Sequence, residues 1–126
     1  MLNAQIRRTA RIVKMVFLLL PLAACVDYDR AIKVSDVRKE EVVTVKSNQS
    51  SGHVYGINIR GTGNIDGEAS ISLILNGEPY KTEILKGEVS FEWDGDWYSD
   101  TAEIVYKPKL INSGELVIEY NFFILK

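Results

Sequence analysis

From His53 onward the chain keeps a two-residue rhythm, and that rhythm constrains the fold more than anything else in the sequence. Tyr55, Ile57 and Ile59 fall on one face of an extended segment, with Val54, Gly56, Asn58 and Arg60 on the other. Val89, Phe91 and Trp93 alternate with Glu88, Ser90 and Glu92. Ala102, Ile104 and Tyr106 alternate with Glu103 and Lys107, and Leu116, Ile118, Tyr120 and Phe122 alternate with Glu115, Glu119 and Asn121. Ahead of these, the β-branched Val42-Val43-Thr44-Val45 reads as a first strand.

The strands are separated by turn chemistry. Asn76-Gly77 is the strongest such signal, because both residues tolerate the positive φ of a type I′ hairpin turn. A two-residue turn there sets Leu75 against Glu78, Leu73 against Tyr80, Ile71 against Thr82 and Ala69 against Ile84. Pro79 has no N–H to offer an outer neighbour, so a sheet edge is expected beside it. Lys86-Gly87 and Asn112-Ser113-Gly114 read as further turns, Pro108 as the end of a strand, and the stretch 94–100 as a loop. Gly61-Thr62-Gly63-Asn64-Ile65-Asp66-Gly67 lacks the Lys-Ser/Thr of a phosphate loop and reads as a loop or a bulged strand. About seven strands without a convincing helix predict a single small antiparallel β-sandwich, with a small barrel as the alternative.

The N-terminal quarter is written differently. Arg7, Arg8, Arg11 and Lys14 precede the apolar run Met15-Val16-Phe17-Leu18-Leu19-Leu20-Pro21, which leads into Leu22-Ala23-Ala24-Cys25. The apolar stretch from Met15 to Ala24 has 10 residues, whereas a helix crossing the hydrocarbon core needs about 20. It therefore reads as the core of a signal peptide. A basic start, a short apolar core, Leu three before the cysteine and two small residues resemble the lipobox of bacterial lipoproteins. That resemblance implies cleavage before Cys25, a diacylglyceryl group on its sulfur and acylation of the new amine. Val26 follows the cysteine, so the aspartate that retains many such proteins at the inner membrane is absent, and the outer membrane is the expected residence.

The expected organisation is thus a signal peptide over 1–24, a lipidated Cys25 with a polar tether over 25–41, and the β-sandwich over 42–126. Losing the leader leaves 11 of the 15 basic residues against all 17 acidic ones, a formal net charge of −6. Such a surface is a poor match for nucleic acid, whose phosphates call for clustered Lys and Arg. Cys25 is the only cysteine, so no disulfide forms within the chain and packing alone must hold the domain.

Chemistry-bearing residues are sparse. His53 is the only histidine, which excludes a multi-histidine metal site, and no catalytic triad and no cofactor are expected. Asp94, Asp96 and Asp100 are hard oxygen donors close together in sequence, but without the spacing of an EF-hand, and no metal site is assigned to them. Trp97 and Tyr98 interrupt those carboxylates outside the alternating pattern, where aromatic side chains suit recognition of proteins or glycans. The binding candidates are therefore Trp97, Tyr98, Asp94, Asp96 and Asp100, with Cys25 as the lipid attachment site.

Ser51-Gly52-His53-Val54-Tyr55 has the Ser-Gly-x-x-Tyr form that resembles the membrane-bound lysozyme inhibitors, and by that resemblance Ser51 and Tyr55 would belong to an inhibitory loop. The expected function is a non-enzymatic, membrane-anchored envelope lipoprotein that binds an envelope protein or glycan. The alternatives are inhibition of a cationic hydrolase such as lysozyme, and phage exclusion.

Overall fold

The computed structural model describes residues 30–48 and 52–126. The readings that fall on Cys25, on the leader and on Ser51 lie outside the described residues.

The described chain is all-β. Its strands are β1 (Arg30–Lys33), β2 (Glu41–Lys46), β3 (His53–Leu75), β4 (Glu78–Asp96) and β5 (Thr101–Leu125). All pairings are antiparallel, in the order β1-β5-β3-β4, and β2 also lies on β5. β1 takes the second half of β5, from Val117 to Tyr120, while β2 takes the first half, from Thr101 to Tyr106.

Five strands stand where about seven were expected, because three of the predicted breaks, at 61–67, 86–87 and 112–114, are bends inside continuous strands, while β1 is a strand added before them. Gly87 lies opposite Ile65 within β4, and Gly114 lies opposite Ile65 within β5. The positive φ of both glycines bends the chain without ending its ladder. Gly63 and Gly67 do the same within β3, so the glycine-rich stretch is a bulged strand. Pro108 does not close its strand either. It pairs with Ala69 at a register shift, where a missing N–H is tolerated.

The bends let each long strand serve two layers of an open sandwich. The first half of β3 with the second halves of β4 and β5 supplies Ile57, Ile59, Trp93, Ile118 and Tyr120. The second half of β3 with the first halves of β4 and β5, and β2, supplies Ile71, Leu73, Leu85, Ile104 and Val45. These side chains join in one buried cluster, as burial of alternate residues on facing layers requires.

The Asn76-Gly77 turn forms as its residues dictate, with φ of 54° and 79°. The register holds for Leu75 with Glu78 and Ile74 with Pro79, then slips by one at Tyr80, so that Leu73 meets Lys81 and Ala69 meets Leu85. A one-residue slip exchanges the faces of a strand. Leu85 is consequently 3% exposed and Ile84 63% exposed. β4 pairs only with β3, which places Pro79 on a sheet edge as its chemistry requires.

The polar stretch expected as a tether is part of the domain from Arg30. β1 joins the sheet, the Val34 N–H donates to the Leu116 carbonyl at 2.9 Å, and Val34 and Val37 are buried. Isolated valines in a charged run give no periodic signal, and their burial depends on a distant strand. The Tyr106 hydroxyl, fully buried, donates to the Val37 carbonyl at 2.7 Å and ties this segment to the core. Tyr106→Phe leaves that carbonyl short of a donor and is expected to cost about 1–2 kcal/mol, read as a lower urea midpoint at unchanged slope.

Candidate functional site

Because the long strands fold over at their glycines, the hairpin tip at Asn76-Gly77, the end of β2, the start of β3, the β4–β5 loop and the end of β5 gather at one end of the sandwich. The glycine bends and the β1–β2 connection occupy the other end.

The β4–β5 loop is fixed by hydrogen bonds. The Trp97 N–H donates to the Tyr55 carbonyl at 3.2 Å, its indole Nε1–H donates to the Thr101 carbonyl at 2.9 Å, and the Ser47 N–H donates to the Asp100 carbonyl at 2.8 Å. Trp97 continues the inward parity of Phe91 and Trp93, and is 6% exposed. Tyr98 takes the opposite side and is 79% exposed. The two neighbouring aromatic candidates thus differ in role: Trp97 packs, and Tyr98 faces outward.

Tyr98 stands between two recesses. One, about 330 Å³, is lined by Leu75, Tyr80, Trp97, Tyr98, Asp96 and Ser99, and its walls are mostly apolar. The other, about 570 Å³ and more polar, lies among Gly52, His53, Val54, Tyr98, Ser99 and Asp100. Leu75 and Tyr80 were not among the sequence candidates. The unslipped register would have turned Tyr80 toward the core beside Leu73, and only the bulge turns it outward.

The carboxylates do not converge. Asp94 and Asp96 lie on the outer face of β4, opposite Asn58 and Gly56, while Asp100 belongs to the loop. Among the described residues no three His, Cys, Asp or Glu side chains are placed to hold a metal ion. His53 is exposed at the start of β3, opposite Leu125.

At the far end a polar recess of about 370 Å³ is lined in part by Lys33, Asp36, Arg38 and Glu115. Its cations are paired within it, Lys33 with Glu115 at 3.1 Å and Arg38 with Asp36 at 3.0 Å. The hydrogen bond from the Arg38 side chain holds the Asp36 carboxyl below the usual carboxylate range. With their charges satisfied locally, these residues form a surface turn and present no unpaired group to a ligand.

No protein-family model matches the chain, and no curated protein matches it. Among solved structures, the chain is similar to PirA, at 17% identity and a TM-score of 0.44, covering 77% of this chain and 96% of that one. It is also similar to the carbohydrate-binding module CBM36 in complex with calcium and xylotriose, at 14% identity and a TM-score of 0.40, covering 75% of this chain and 88% of that one.

Proposed function

We propose that the protein is a lipid-anchored envelope lipoprotein whose β-sandwich binds without catalysing, through the end that carries Tyr98. The observation that carries this reading is the apolar recess beneath Tyr98, where Leu75, Tyr80 and Tyr98, three of the eight large apolar side chains left exposed among the described residues, stand together. Exposed apolar clusters of this kind are usual at binding surfaces. The lipobox-like Leu22-Ala23-Ala24-Cys25 supports the anchor, and Val26 supports the outer membrane over the inner. A non-enzymatic role is part of this reading, in which His53, the only histidine of the chain, lies exposed at a strand end.

The test is metabolic labelling. In cells fed labelled palmitate, the chain is expected to carry the label and to sediment with membranes. Cys25→Ala is expected to abolish both, leaving an unlipidated chain. A Cys25→Ala protein that still takes up palmitate overturns the reading.

A further inference from the structure

The reach of the chain between Cys25 and the sheet leads to an inference that rests on the lipid anchoring proposed above. Only four residues, 26–29, separate Cys25 from Arg30, where β1 begins. Five Cα steps span at most about 18 Å, whatever their conformation.

β1 runs antiparallel to β5, with Arg30 opposite Tyr120 and Lys33 opposite Val117. The chain therefore enters from the side of the C-terminus, which is the end that holds Tyr98. Leu125, the partner of His53, is five residues further along β5 than Tyr120. At about 3.3 Å per residue that is a further 17 Å along the strand. The cysteine can thus come level with the loop end and hardly beyond it.

Hydrogen bonds connect the point of entry to the loop. Arg30 Nε donates to Asn48 Oδ1 at 3.0 Å, and the neighbouring Ser47 N–H holds Asp100, two residues from Tyr98.

Of the eight large apolar side chains left exposed among the described residues, five belong to this end: Tyr55, Leu75, Tyr80, Tyr98 and Leu125. Three are tyrosines, whose apolar ring and polar hydroxyl suit the lipid–water boundary. We infer that the end bearing Tyr98 lies against the bilayer, with Tyr98, Tyr80 and Leu75 in the headgroup region as a second, weaker attachment beside the acyl chains on Cys25. Lys46, Lys81 and Lys126 share this end with Glu78, Asp96, Asp100 and Glu103, so its charges are mixed and the contact is carried by apolar groups.

The experiment uses the full chain as cells process it, reconstituted in vesicles of phosphatidylethanolamine and phosphatidylglycerol. A thiol-reactive fluorophore is placed through Ser99→Cys, beside Tyr98, or through Leu110→Cys at the glycine-bend end. Nitroxides carried by the lipids are expected to quench the Ser99 label strongly and the Leu110 label little. Adding Tyr98→Ser with Tyr80→Ser is expected to reduce the Ser99 quenching while the protein still floats with the vesicles. Equal, weak quenching of both labels on vesicle-bound protein overturns the orientation and leaves the anchor intact. Protein that does not float, and whose Cys25 also takes up the fluorophore, overturns the anchor and the orientation with it.

Discussion

Gly67→Ala is expected to leave the domain largely unfolded. A Cβ at this position would stand 1.6 Å from the Leu110 carbonyl oxygen and 2.7 Å from its carbon, and both are backbone atoms of the paired strand. No rotamer change can move them. The φ of +137° is a further obstacle, since side chains rarely adopt it. Relief requires opening the ladder where β3 crosses between layers, at the register shift that pairs Gly67 with Ile111. The strained backbone alone costs about 1–3 kcal/mol, and with the clash the loss should exceed about 4 kcal/mol. That approaches the whole stability of many domains of this size, about 5–15 kcal/mol. Gly95→Ala is the control, because an added Cβ there meets nothing within 4 Å and φ is not positive. It should change stability by less than about 0.5 kcal/mol. Urea unfolding followed by circular dichroism separates the two, and equal midpoints would refute the account of the bend.

The second large effect separates two adjacent aromatic residues. Trp97→Ala empties part of the core at the loop end and removes the indole donor to the Thr101 carbonyl, so a loss of about 3–5 kcal/mol is expected. Tyr98→Ala removes a side chain that is 79% exposed and should stay within about 0.5 kcal/mol of the parent. Thermal melts of both variants check the contrast. A Trp97→Ala protein as stable as Tyr98→Ala would show that the indole adds nothing to the core. The contrast also fixes how binding is tested, since only Tyr98 can be truncated without disturbing the fold.

Local chemistry explains which features could be read from the sequence. Alternation identified most inward residues of β3, β4 and β5, because one face of each strand is buried along most of its length, but not Tyr55, which the irregularity between Val54 and Gly56 leaves exposed. Asn76-Gly77 specified its own turn, since the requirement for positive φ is local. Gly87 and Gly114 carry the same local signal but sit between paired neighbours, and whether a glycine turns the chain or only bends it is decided by the strand beside it. The slip at Tyr80 is likewise decided by burial, which brings Leu85 in at the expense of Ile84. This is why Tyr80 escaped notice beside Tyr98. Val34 and Val37 had no pattern to reveal them, because their partners, Leu116 and Tyr106, lie in the last strand.

The attachment of both short strands to β5 has a consequence for the order in which the molecule forms. β1 and β2 are made first, yet each hydrogen-bonds only to the last strand synthesised, with Arg30 waiting for Tyr120 and Val45 for Ala102. A chain emerging N-terminus first cannot settle β2 until Thr101–Tyr106 have followed, nor β1 until Tyr120 has. Such long-range pairing makes folding slow. On the export route proposed above, that delay would keep the domain unfolded during passage and confine its assembly to the far side.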